Sequence, residues 1–287
     1  MAPRNNMDRF GAPEPSHEDP VAPAASQAPQ QTPMQFVVPT EMVDLPSRGR
    51  FYPESHPLHG KEIVEIRYMT ARDEDILVNK SFIQKGLVVD KLLESVIIDK
   101  NIPISSLLLG DKNAMIVAAR VSGYGSEYET KIVCPSCMES QEYSFDLSEA
   151  LTLLDESDSE IEHTVTANGT FIIKTPKMGL DVEFRPTTGM DEQAISKANS
   201  SRKKNKLALM GIIDVMAMYI VSIDGNPDRG FINQALEHMP AIDAKHIRNC
   251  HQELMPNIDL AQQYECNSCG YEQEMEVPFT SDFFWPK

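Results

Sequence analysis

Apolar positions change their spacing several times along the chain, and each change marks an element. Glu62 to Met69 (EIVEIRYM) is rich in β-branched and aromatic residues and predicts a strand. Thr70-Ala-Arg-Asp73 follows it, a capping residue with an acid three positions on, and opens a helix through Asp75-Ile-Leu77. From Leu87 to Ile98 the apolar pairs Val88/Val89, Leu92/Leu93 and Val96/Ile97 recur every four residues, with Asp90, Lys91, Glu94 and Ser95 on the other side. That spacing predicts an amphipathic helix. A further, Ala-rich helix runs from about Asp111 to Val121 and stops at Gly123-Tyr-Gly125. Three helices in succession make a local helical subdomain.

Strand patterns come next. Tyr128 to Val133, Glu142 to Phe145, about Thr164 to Lys174, and Asp181 to Arg185 have strand composition, with a hairpin turn at Asn168-Gly169. Helical spacing returns at about Met190 to Lys197, Leu207 to Ile223, Phe231 to His238 and Ile242 to Leu254. Ala261 to Glu265 and Tyr271 to Val277 predict two closing strands. Helices and strands are grouped in blocks, which argues an α+β fold of helical subdomains and antiparallel strands.

Two segments depart from this texture. Seven of the first 33 residues are proline, among Gln, Ala and Ser, so residues 1–35 are expected to be a disordered Pro/Gln-rich tail. Leu207 to Ile223 has 14 apolar residues out of 17, which raises the question of a membrane span. Spanning needs about 20 residues, and Asp214 near the centre would cost roughly 2.5–3.5 kcal/mol. A helix buried in the protein core is the expectation instead.

Composition bounds the function. The 287 residues are 41% hydrophobic, enough for a real core, and carry a formal charge of −17, which repels nucleic acid and anionic membrane alike. Met1 to Pro15 has no apolar run, so no secretory signal is expected. Five cysteines are too few for a disulfide scaffold and fit a reducing cytosol.

Four of those cysteines carry the strongest chemical signal. Cys134-Pro-Ser-Cys137 and Cys266-Asn-Ser-Cys269 each lie between strand-like segments, the arrangement of zinc-ribbon half-sites. Aligned without gaps, the two motifs also share Ser136/Ser268, Gln141/Gln273 and Glu142/Glu274. Cys134, Cys137, Cys266 and Cys269 are therefore the expected ligands of one structural Zn²⁺, in a ribbon assembled from two distant hairpins. The 128 residues between Cys137 and Cys266 make a loop whose closure costs about 4 kcal/mol, which a structural zinc worth roughly 10–16 kcal/mol offsets. The implied organisation is an arm, strand and helical subdomain over 36–127, ribbon halves over 128–147 and 259–287, and an inserted strand-and-helix region over 148–258. A redox role is disfavoured because both motifs are strand-flanked, and four thiolates leave no open position for catalysis. Cys250, near His246 and His251 on a predicted helix, reads as incidental packing. Nucleic-acid binding by the ribbon is disfavoured locally too, since neither 139–162 nor 249–286 contains Lys or Arg, while acids recur in both.

No nucleotide-binding loop, nucleophile elbow or other catalytic constellation is present; Gly123-Tyr-Gly125 follows a helix, and His56-Pro-Leu-His59 has no helical context. A small-molecule substrate is therefore not expected. Lys197, Arg202, Lys203, Lys204 and Lys206 form a run without an acid, either a solvated helix junction or a contact for an acidic neighbour. The aromatic terminus Phe283-Phe284-Trp285 either caps this protein's own ribbon or anchors in a partner.

Leu45-Pro-Ser-Arg-Gly-Arg-Phe-Tyr-Pro53, Tyr68-Met-Thr-Ala-Arg-Asp-Glu-Asp-Ile-Leu77, Ala118-Ala-Arg120 and Gly123-Tyr-Gly125 together resemble the baseplate hub subunit family of T-even-type contractile-tailed bacteriophages. The resemblance spans about residues 40–150. In the first segment Gly49 permits a positive-φ turn while Pro46 and Pro53 hold its flanks extended, making a rigid arm that either laces the domain together or lies along a neighbour. The resemblance implies a non-enzymatic structural or assembly component of a phage tail baseplate, in the virion tail and, during assembly, in the host cytoplasm. Its partners would be other baseplate and hub proteins. The competing reading is a cytosolic zinc-ribbon adaptor or nucleic-acid factor unrelated to phage tails.

Overall fold

The computed structural model describes residues 37–148, 152–154, 156, 159–279 and 281–284; the tail expected over 1–35 lies outside them. Strands β1 (Thr40–Asp44) and β2 (Ile63–Arg67) form an antiparallel pair. Three helices follow, α1 (Ala71–Leu77), α2 (Lys80–Lys85) and α3 (Val88–Val96), and the apolar pairs of α3 place Leu92, Leu93 and Val96 in the core. Helix α4 (Leu109–Tyr124) is longer than its Ala-rich centre suggests and is buried on nearly every side from Gly110 to Arg120. A helix covered all round needs no polar face, which is why its sequence shows so weak a stripe.

β3 (Glu127–Val133) and β4 (Ser140–Asp146) make a hairpin. The short β5 (Leu153–Leu154) pairs with β10 (Asn257–Ile258), while β6 (Thr164–Val165), β7 (Phe171–Lys174), β8 (Asp181–Phe184) and β9 (Ile220–Ile223) form a four-stranded sheet in that order. Helices α5 (Gly189–Lys204), α6 (Ile212–Tyr219), α7 (Arg229–His238) and α8 (Ala241–Leu254) lead to a last hairpin, β11 (Ala261–Glu265) with β12 (Glu272–Glu276). Every pairing between named strands is antiparallel, as an α+β fold requires.

The apolar run 207–223 corrects an expectation. It is three things, an irregular stretch over 207–211, the short α6, and β9. Asp214 accepts a hydrogen bond from the N–H of Gly211 (3.0 Å), which starts a fresh helix there, and the β-branched Ile220, Val221 and Ile223 are drawn onto β8. Within α6 only Met216 and Tyr219 are buried; Leu207, Leu209 and Ile212 are exposed. Among the described residues, no helix is long and apolar enough to cross a membrane.

The fold also repeats itself. Hairpins β1–β2 and β7–β8 turn on matching sequences, Leu45-Pro-Ser-Arg-Gly49 and Thr175-Pro-Lys-Met-Gly179, with φ of +69° at Gly49 and +68° at Gly179. Leu45 N–H donates to Glu62 O (2.7 Å) and Thr175 N–H to Leu180 O (2.9 Å). Each second strand ends in Arg-x-x-Thr-x-x-Asp-Glu, first at Arg67, Thr70, Asp73 and Glu74, then at Arg185, Thr188, Asp191 and Glu192. In both copies the threonine and the aspartate cap a helix reciprocally, and the arginine grips both carboxylate oxygens at 2.7–2.8 Å. The third residues of α4 and α8 are Asp111 and Asp243, both fully buried. Asp111 accepts from the N–H of Ser47 (2.9 Å), and Asp243 from that of Lys177 (2.8 Å), equivalent residues of the two turns. Both copies close on a Cys-x-x-Cys hairpin. The first copy has an extra loop over 50–61, and the second has a first helix more than twice as long.

Candidate metal centre

Cys134 and Cys137 sit in the turn joining β3 to β4, and Cys266 and Cys269 in the turn joining β11 to β12. The two turns are built alike. Cys134 N–H donates to Glu139 O and Cys266 N–H to Tyr271 O, both at 2.9 Å; Met138 N–H donates to Cys134 O and Gly270 N–H to Cys266 O, again at 2.9 Å. Each turn needs a left-handed residue, supplied by Gly270 (φ +65°) in one and by Met138 (φ +62°) in the other. Fixing the backbone this way aims both sulfurs of each turn to the same side.

The hairpins meet face to face through polar contacts. Gln141 donates to Tyr264 Oη (3.0 Å) and accepts from the N–H of Asn267 (3.1 Å); Tyr143 donates to Gln263 O (2.8 Å); Gln262 bonds Asp146 O (2.6 Å). Tyr143 and Tyr264 add an aromatic contact at 5.1 Å. The four sulfurs converge, all within 4.8 Å of one another, with Cys134–Cys269 and Cys137–Cys266 both at 3.8 Å. Cys134 and Cys266 are buried and Cys137 and Cys269 exposed.

The surroundings of the thiols favour anions at the buried pair. The backbone N–H groups of Cys269 and Ser268 point at Cys266 and, against burial, bring it down to about 6. Burial works against ionising Cys134 as well, yet the N–H groups of Cys137 and Ser136 carry it downward. At Cys137 the N–H of Glu139 favours the thiolate, but partial desolvation by the facing hairpin and the three neighbouring thiols prevail and push it up to about 12. Four sulfurs this close repel one another when ionised, and a cation among them removes that repulsion. The set can hold one metal ion through four soft ligands.

Other sequence candidates have local roles. His56 bonds Ser106 Oγ (2.8 Å) and stacks on Tyr52, and His59 bonds Tyr52 O (2.7 Å), so the two histidines organise the extra loop. Cys250 is buried, 3.4 Å from His246 Nε2 on its own helix. Arg202 pairs with Asp214 (3.3 Å); Lys197 is exposed midway along α5, and Lys203, Lys204 and Lys206 lie at and just beyond its end. The arm laces its own domain: Leu45, Ser47, Phe51 and Tyr52 are buried, and Ser47 Oγ (2.6 Å) and Tyr52 Oη (2.8 Å) both donate to Asp111 Oδ2. Phe283 likewise stays home, edge-on to Tyr128 at 5.1 Å, while Trp285 lies outside the described residues. Arg120 holds that terminus by donating from its buried guanidinium to the carbonyls of Phe283 (2.7 Å), Gly125 (2.7 Å) and Glu127 (3.0 Å). Nothing local in the sequence marks Asp111, Asp243 or Arg120 as an anchor; for the first two the repeated Pro-x-x-Gly turns are the one available signal.

Comparison with curated proteins and with solved structures gave no significant match to either. Comparison with family models did: the model described as T4 bacteriophage base plate protein matches residues 41–285, from the first strand to the aromatic terminus and across both Cys-x-x-Cys hairpins. The chain therefore belongs to the T4 bacteriophage base plate protein family.

Proposed function

We propose that this protein is a non-enzymatic structural or assembly component of the hub region of a phage tail base plate, its two cysteine hairpins joined by one structural Zn²⁺ into a ribbon. Family membership carries the base plate reading and implies assembly with other tail proteins. The hub assignment rests on the Leu45–Pro53 and Tyr68–Leu77 segments. The non-enzymatic reading is supported by the employment of the buried charges. Asp73 and Asp191 are gripped by arginines, Asp111 and Asp243 tie turns to helices, and Arg120 holds the C-terminal segment.

Zinc is supported by the sulfur spacing. A tetrahedral ion with metal–sulfur bonds of about 2.3 Å has sulfur–sulfur edges of about 3.8 Å, the separation found for two of the cross-hairpin pairs. The ion would link residues far apart in sequence and clamp the end of one structural copy to the end of the other. It would supply no open coordination position. The acidic ribbon argues against nucleic-acid binding, and no role for a small-molecule substrate is proposed.

Mass spectrometry of purified tails and of hub assembly intermediates tests the function; recovery in either supports it, and absence from both overturns it. Metal analysis tests the centre. Near-stoichiometric zinc in the wild type should fall sharply in Cys266→Ser, and full retention in that variant would defeat the four-cysteine assignment.

A further inference from the structure

The two structural copies differ most where α1 and α5 leave their caps. In the first copy α1 turns back and packs on α3, burying Leu77, and α2 closes the corner. In the second copy α5 runs on for sixteen residues and makes no comparable packing with α6, the counterpart of α3. The counterpart of α3 is thus left without such a cover from α5.

The open place is a groove of about 420 Å³ between α6 and α8. Ile212, Val215, Met216 and Tyr219 line one wall, and Arg248 and His251 the other. Ile212 is 56% exposed, and the adjoining Leu207 and Leu209 are 61% and 59% exposed, so the apolar surface continues beyond the groove. Exposed apolar surface gathered in this way marks a binding site more often than a solvated face. Nε2 of His251 is buried with no hydrogen-bond partner, leaving an unsatisfied polar atom in the wall.

Charge identifies the occupant. In a chain of net charge −17, no carboxylate lines this groove, and Arg248 has no ion-pair partner among the described residues. The basic end of α5 is tied to the groove's edge: Asn199 accepts from the N–H of Met210 (2.8 Å), and Arg202 reaches Ala208 O (3.3 Å). Lys203, Lys204 and Lys206 lie at and just beyond that end and are exposed, without ion pairs among the described residues. The helix that packs on α3 in the first copy, Ala-Arg-Asp-Glu-Asp-Ile-Leu, is itself acidic with an apolar end.

We infer that this groove docks a short acidic amphipathic helix of another tail protein, its apolar side against α6 and its carboxylates toward Arg248 and the lysines of α5. The inference rests on the base plate reading and specifies the partner's chemistry. A second copy of this chain is disfavoured as occupant because the two molecules would bring their large negative charges together.

The test places the photo-crosslinking amino acid p-benzoylphenylalanine at position 212 of the full chain, in cells where tails are assembling, with position 42 on β1 as control. Crosslinked peptides are identified by mass spectrometry. Position 212 should yield an acid-rich amphipathic segment of another tail protein, and position 42 should not. Combining Lys203→Glu with Lys204→Glu should cut the yield at 212 roughly tenfold while circular dichroism and metal content stay unchanged. Crosslinks only to a second copy of the chain, crosslinks to a segment without acids, or a yield unaffected by the two substitutions would overturn the inference. Recovery of the chain in tail intermediates with no crosslink at 212 defeats the groove alone, whereas absence from those intermediates defeats the base plate reading with it.

Discussion

Asp111 is the residue on which the arm's attachment turns, and Asp111→Asn gives a measurable prediction. The Oδ2 of Asp111 accepts from Ser47 Oγ (2.6 Å) and Tyr52 Oη (2.8 Å), and its Oδ1 from the N–H of Ser47 (2.9 Å), all in a fully buried setting. An asparagine side chain keeps one acceptor oxygen and turns an amide toward two hydroxyls whose own oxygens already accept from Gly49 N–H and Leu108 N–H. Two bonds to a charged acceptor are worth about 1.5–3 kcal/mol each. Burial pushes the Asp111 carboxyl up, so removing its charge returns part of that, and the net loss expected is about 2–4 kcal/mol. With a slope near 3 kcal/mol per molar urea, the unfolding midpoint should drop by about 1 M. A cycle with Ser47→Ala should show a coupling of about 1–2 kcal/mol, because the residues share a bond. A midpoint shift under about 0.3 M, or additive effects in the cycle, would refute the assignment of Asp111 as the arm's anchor.

Gly49→Ala should be costly, about 3 kcal/mol or more, because a Cβ at φ +69° would overlap Leu58 O and Lys61 N; Gly225→Ala, at φ +76° with open space, should lose only about 1–2 kcal/mol in the same urea titration. Met138→Gly should match the second turn and stabilise the hairpin, with a relief of left-handed strain of about 1 kcal/mol that exceeds the entropy lost by the more flexible chain; a fall in melting temperature would contradict this. Burial opposes ionisation of Asp73, but Arg67, Ser95 and Thr70 outweigh it and hold the carboxyl well below its usual range. A depressed folded value means that its stabilisation is fully present above the unfolded value near 4 and is lost as pH falls from there through the folded value. The urea midpoint of Asp73→Asn should therefore fall less steeply than that of the wild type between about pH 5 and pH 2, and parallel curves would contradict the arginine grip.

Much of this molecule is visible in its sequence because the relevant signals are local. The four-residue spacing of Val88 to Ile97 places α3, the Thr70–Asp73 box starts α1, and the Asn168-Gly169 turn separates β6 from β7. The two Cys-x-x-Cys motifs mark the hairpins whose sulfurs meet, and the Leu45–Pro53 arm and its companions point to the base plate family that the match over residues 41–285 establishes. Each of these signals is complete within a few residues of chain.

The tertiary structure decided what depends on neighbours. The two-copy plan is written in the sequence at Arg67/Arg185 and Pro46/Pro176, but the extra loop over 50–61 and the long α5 shift its register, so the match emerges once the hydrogen bonds coincide. Asp111 and Asp243 look like ordinary helix-start acids until a turn from elsewhere in the chain buries each of them. The clearest departure is Leu207 to Ile223, whose apolar composition argues burial. Hydrophobicity sets a preference for leaving water without naming the surface that receives it. Here α5 runs past α6, β8 takes Ile220–Ile223, and Leu207 to Ile213 is left facing outward.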